Sequence, residues 1–140
     1  MKKLLITILA LTCQFFPYFI QGQTLAGQNW YFGNLAGLNF ATTPPTPLTN
    51  SAMNAFEGCA TISDAGGNLQ FYTNGNIVWD RNHLPMPSGN GLNGDGAATQ
   101  TAIIVPRPQN PSQYYIFTVD TNGGARGLCY SEVDMSLRCV

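Results

Sequence analysis

The sequence predicts an all-β protein made of antiparallel meanders, and three observations carry that prediction. Within 56–80 (FEGCATISDAGGNLQFYTNGNIVWD) three β-rich runs are separated by two turn signals. Only 9% of the residues are charged, and Gly, Asn, Thr, Ser and Pro supply the polarity instead. Ordinary soluble proteins carry roughly 25% charge, much of it on amphipathic helices, so this composition suits short strands and turns. The apolar residues alternate with a period of two, as on a half-buried strand.

Taken in order, the elements begin at 28–32 (QNWYF), a first strand ended by Gly33. A second is expected at 37–41, where Leu38 and Phe40 alternate. Residues 42–51 hold Pro44, Pro45 and Pro47 and read as a loop, because proline cannot donate to a ladder. The meander comes next. Residues 59–63 form a strand, and 64–68 (DAGGN) a turn, since Asp and Asn tolerate left-handed geometry and glycine adopts it freely. Leu69 and Phe71 share one face of the next strand. Asn74-Gly75 is the strongest hairpin signal in the chain, and Ile77 and Trp79 alternate after it. Residues 81–98 read as a long connection. Residues 101–105 (TAIIV) are nearly all apolar and predict a strand buried on both faces. Residues 114–120 (YYIFTVD) give another strand with Tyr115, Phe117 and Val119 together, and 128–135 a last one after a glycine turn. The expected core is Ile62, Leu69, Phe71, Ile77, Trp79, Ile103, Val105, Tyr115, Phe117 and Val119.

The first 22 residues read as a secretory signal peptide. Lys2 and Lys3 precede an apolar run at 4–11, and Gly22 offers a small residue before a cut at Gln23. The apolar core is too short to span a membrane, and Gln14 and Pro17 interrupt its extension toward Ile20. Ala10-Leu11-Thr12 is a poor lipobox for Cys13. The mature region, 23–140, is thus expected to be exported, with an extracellular or outer-surface location and no stable membrane span. It keeps Cys59, Cys129 and Cys139, an odd number. Cys59 and Cys129 read either as small buried hydrophobes or as a disulfide, which spacing does not decide.

Function classes can be narrowed. The net charge is -1 without a basic patch, so nucleic acid is not an expected partner. There is no CxxC pair, and His83 is the sole histidine, which argues against a Cys/His zinc site. Residues 93–96 (NGDG) suggest a calcium loop, but a loop with its glycine at Gly96 starts at Gly91 and puts Ala102 where a bidentate Glu belongs. A looser calcium site at Asp95 with backbone carbonyls stays open. Glu57, Asp80, Asp95, Glu132 and Asp134 show no spacing that pairs them for acid–base work, and His83 sits in a loop context. Asp64 and Asp120 are expected to cap turns. The aromatics Trp30, Tyr31, Trp79, Tyr114 and Tyr115 suit either a core or a sugar-stacking platform. No catalytic residue, metal ligand or cofactor is assigned.

A weak internal repeat joins Asp64, Gly66-Gly67, Leu69 and Phe71 to Asp120, Gly123-Gly124, Leu128 and Tyr130. The two Gly-Gly pairs lie 57 positions apart, somewhat more than the period of about 40 to 50 residues that propeller blades give. Five stretches also carry a resemblance: 29–33 (NWYFG), 57–64 (EGCATISD), 78–83 (VWDRNH), 99–106 (TQTAIIVP) and 114–120. Together they resemble the N-terminal region of large secreted Bacteroidetes proteins. Such proteins often end in a gliding-motility-associated domain read by the type IX secretion system. The resemblance implies a β-propeller-like region; residues 23–140 have room for about two blades, and where such proteins continue long after 134–137 this sequence reads as a truncated copy. It implies a surface or extracellular location and no catalytic residues; the leading expectation is a non-enzymatic exported β-module of a cell-surface, adhesion or gliding-associated protein with a protein or glycan partner. A glycan-binding or glycan-processing propeller is the alternative expectation. A piece of two blades is expected to expose apolar faces and to associate when made alone.

Overall fold

The computed structural model describes residues 25–137. The signal sequence, Cys13, Gln23 and Cys139 lie outside the described residues. Among the described residues ten strands form three antiparallel sheets. The first sheet joins β1 (Asn29–Phe32), β2 (Ala36–Asn39) and β3 (Thr46–Leu48) in that order. The second joins β4 (Ala60–Ser63), β5 (Leu69–Thr73), β6 (Ile77–Asp80) and β7 (Pro85–Asn90). The third joins β8 (Ala102–Pro106), β9 (Gln113–Val119) and β10 (Leu128–Asp134), with β9 in the middle. Each sheet is a simple meander, the connectivity that short Gly/Asn turns favour.

The second sheet is the centre of the molecule, with a cluster on each face. Against the first sheet, Tyr72 stacks on Tyr31 at 4.7 Å and on Trp79 at 5.5 Å between ring centroids. Met53 and Ala55 complete this cluster. Against the third sheet, Phe71 and Val78 meet Ala102, Tyr114, Ile116 and Val133. Phe71 and Tyr114 pack edge to face at 5.2 Å, a favoured aromatic geometry. Strand β4 lies against β1 on one side and β8 on the other. The leading strands of the three sheets are therefore neighbours, and each meander runs outward from them.

Five sequence expectations need correction. Residues 42–51 contain strand β3, and 81–98 contain strand β7; both are edge strands, where a proline loses no internal hydrogen bond. These two strands add a third strand to the first sheet and a fourth to the second. Strand β8 is buried on one face only: Ala102 is buried, but Ile103 is 49% and Val105 37% exposed. On β9 the buried face is Tyr114, Ile116 and Thr118, whereas Tyr115, Phe117 and Val119 are half-buried on the other. Both faces of β9 are rich in apolar side chains, so alternation alone does not choose between them.

Leu69 and Phe71 also part company. The ladder between β4 and β5 shifts at Ile62/Ser63, so that Ile62 faces Phe71 and Ser63 faces Leu69, with Gln70 as the extra residue. Such a bulge sends the next side chain to the opposite face. Phe71 therefore packs toward the third sheet and Leu69 toward the first. Ile77 and Trp79 do share a cluster, as alternation predicts.

Candidate functional site

The acidic side chains hold turns. Asp64 Oδ1 accepts from the Gly66 and Asn68 amides, both at 2.9 Å. Its Oδ2 accepts from Gln70 Nε2 at 3.1 Å, and Arg81 Nη2 donates to Gln70 Oε1 at 2.9 Å. Asp80 Oδ1 accepts from the Asn82 and Leu84 amides, and Asp134 Oδ1 from the Ser136 amide and hydroxyl. Asp120 accepts from the Thr121 amide through Oδ1 and the Arg126 amide through Oδ2. Short acidic side chains do this well because they mimic a backbone turn. The expectation that Asp64 and Asp120 cap turns holds. The two hairpins differ in position, however: one joins the first two strands of its sheet and the other the last two. Their likeness is a repeated turn, with no common place in the sheets.

Around Asp95 the positive charge comes from the protein. Arg126 Nη2 lies 2.9 Å from Asp120 Oδ1 and 3.3 Å from Asp95 Oδ2, bridging the two carboxylates. Asp95 Oδ1 accepts from the Ala97 amide at 2.9 Å. The guanidinium thus stands between the acids that a cation at this loop would use. Among the described residues no three His, Cys, Asp or Glu side chains come together as metal ligands. Hydrogen bonding from the Arg126 side chain holds the Asp120 carboxyl below its ordinary value of 3.8. A carboxylate whose folded value is lowered adds stability that is present above 3.8 and is lost as pH falls through the lower folded value. Acid titration of the melting temperature is therefore expected to fall below about pH 4, and Asp120→Asn is expected to flatten that fall. An unchanged acid limb in Asp120→Asn would show that the bridge contributes nothing.

His83 joins a second network. It adopts φ 65 in the turn after β6. Its Nε2 lies 2.7 Å from Asn50 Nδ2 and its Nδ1 3.1 Å from Tyr72 Oη. Tyr31 Oη donates to Asn50 Oδ1 at 3.0 Å, and Tyr72 Oη accepts from the Ala52 amide at 3.0 Å. Burial pushes both tyrosine hydroxyls above their ordinary value. This network ties the 50–52 segment to the first two sheets. Cys59 and Cys129 are both free thiols: Cys59 Sγ points to the Tyr31 carbonyl at 3.5 Å and Cys129 Sγ to that of Arg126 at 3.3 Å. Burial raises the Cys59 thiol.

The aromatic residues separate into two groups. Tyr31, Trp79 and Tyr114 are core. Trp30 is 55% exposed beside Phe40, with ring centroids 5.0 Å apart. On the third sheet, Tyr115, Phe117 and Tyr130 form an outward aromatic face with Ile103 and Leu128, the last 71% exposed. Arg107 lies 5.8 Å over the Tyr115 ring and 3.9 Å from Glu132. A depression of about 280 Å³ sits between Tyr115, Phe117, Tyr130 and Glu132. Leu128 and Tyr130 were legible as alternating strand residues, but not as exposed ones. The Arg126 bridge was missed; the one sequence signal for it is an arginine six residues after Asp120, across a glycine turn.

The chain matches no protein-family model, no curated protein and no solved structure. Among the described residues the fold is all-β, with three antiparallel sheets. Among the described residues no helix is long and apolar enough to cross a membrane.

Proposed function

We propose that this chain is a non-enzymatic, exported β-module of a cell-surface or adhesion protein, propeller-like in plan. The observation that carries this reading is the placement of β1, β4 and β8 side by side, each leading an outward meander. Blades arranged around an axis have that plan. The two outermost sheet faces support it as well, because both are apolar and open: Trp30, Phe32 and Phe40 on the first sheet, Ile103, Leu128 and Tyr130 on the third. A contiguous exposed apolar face marks an interaction surface. The use of Asp64, Asp80, Asp95, Asp120 and Asp134 to hold turns favours a scaffold over acid–base chemistry.

Export is inferred from the leader. Mass spectrometry of the protein from its native host is expected to find a new N-terminus near Gln23 on material outside the cytoplasm. An intact Met1 on cytoplasmic protein would overturn the proposal. A glycan-binding module is the second reading, favoured by the exposed Trp30–Phe40 pair. Sugars stacking there would change Trp30 fluorescence, which a purely protein-binding module would not show.

A further inference from the structure

The sequence contains four Asn-Gly pairs, at Asn74, Asn90, Asn93 and Asn122. In such a pair the glycine nitrogen can attack the asparagine carboxamide, because no side chain on the glycine stands in its way. The fold holds three of the four. At Asn74-Gly75 the glycine amide donates to Thr73 Oγ1 at 2.9 Å, and the asparagine side chain is bonded to the Asn76 and Ile77 amides and to the Asn54 carbonyl. At Asn93-Gly94 the glycine is buried, and its amide donates to the Gly75 carbonyl at 2.9 Å. At Asn90-Gly91 the asparagine stands opposite Ile77 in β7, and the Leu92 amide beyond the glycine donates to the Asn76 carbonyl at 2.9 Å. Leu92 is buried, so that peptide turns only when the ladder opens.

Asn122-Gly123 is held least. Both residues are exposed, in the short helical turn Thr121–Gly123 between β9 and β10. Asn122 has φ 50 and ψ 31, the left-handed region, so rotation away from it relieves strain. A side chain at Gly123 would meet nothing within 4 Å, which leaves room for the peptide to swing. A bond from the Gly124 N–H to the Thr121 carbonyl at 2.8 Å closes the turn. Asp120 meanwhile anchors the two ends of the loop through the Thr121 and Arg126 amides.

We propose that Asn122 is a site of self-modification, converting to aspartate and isoaspartate. The Gly123 nitrogen attacks Asn122 Cγ. The N–Cγ bond forms, the Cγ–Nδ2 bond breaks, and the proton of the attacking nitrogen leaves with the departing amine as ammonia. Water then opens the cyclic imide. Cleavage of the new N–Cγ bond gives aspartate at 122. Cleavage of the bond from that nitrogen to the Asn122 carbonyl carbon gives isoaspartate, with the main chain running through Cγ. No electrons are exchanged, and water is the sole co-reactant. Either product puts a carboxylate on the border of a depression of about 580 Å³ that Ile103, Phe117 and Leu128 also line. The apolar face of the third sheet thereby gains an acidic rim.

The test incubates the full chain, native and in urea, in mildly alkaline buffer and follows it by isoelectric focusing and by peptide mapping with mass spectrometry. The native chain is expected to develop a more acidic form whose amide-to-acid exchange lies at Asn122, with isoaspartate there detected by an isoaspartyl methyltransferase. In urea the preference is expected to disappear, because all four pairs are then free. Asn122→Gly, which suits the left-handed backbone, is expected to lose the early acidic form. Asn122→Asp is expected to focus with that form from the start. The proposal is overturned by exchange at Asn74, Asn90 or Asn93 that precedes Asn122, by the same site preference in urea, or by an Asn122→Gly chain that turns acidic as fast as its parent. A native chain that stays unchanged while the unfolded one converts overturns it too.

Discussion

Phe71→Ala is expected to cost about 3–5 kcal/mol of folding stability, the range for truncating a fully buried aromatic. Phe117→Ala is expected to cost about 1–2 kcal/mol, because part of its area stays in water. The two phenylalanines look alike in the sequence: each lies in a run of alternating apolar residues within a strand. The structure separates them. Phe71 is 0% exposed between the second and third sheets, against Tyr114 and Val78. Phe117 lies on the open face of the third sheet beside Tyr115 and Tyr130. Urea unfolding of both variants measures the difference. Equal losses would mean that the open face is covered in solution, or that β9 is turned over.

Gly58→Ala is expected to destabilise by about 1–3 kcal/mol or more, as overpacking against backbone does. A Cβ at Gly58 would collide with the backbone nitrogen of Thr101 and stand 3.0 Å from the Ala98 carbonyl. Thr101 cannot retreat. It is fully buried, and its hydroxyl is within donating distance of the Asp95 carbonyl at 2.9 Å and the Ala98 carbonyl at 2.8 Å. Gly75 and Gly94 crowd the same threonine, so three separate segments meet there. Gly27→Ala is the control, since a Cβ there meets nothing within 4 Å. Thermal melting in which Gly58→Ala matched Gly27→Ala would show that this junction is loose.

Local chemistry is what the sequence determined. The turn at Asn74-Gly75 is present: Gly75 has φ 84, and Asn74 Oδ1 accepts from the Asn76 and Ile77 amides. The strands of the central meander and the caps at Asp64 and Asp120 arise from the same short-range preferences, which a handful of neighbouring residues satisfies. The all-β class has the same origin, because glycine- and asparagine-rich turns between alternating runs leave no room for long helices among the described residues.

Tertiary structure alone decided the rest. Proline hid β3 and β7, since the residue that argues against a strand is tolerated on an edge, and edges exist only once sheets form. The buried face of β9 depended on which side met Phe71, as both faces offered apolar side chains. The bulge at Gln70 divided Leu69 from Phe71, and nothing in the alternation announces an inserted residue. The Arg126 bridge to Asp95 spans 31 positions and needs the third sheet in place to bring the two together.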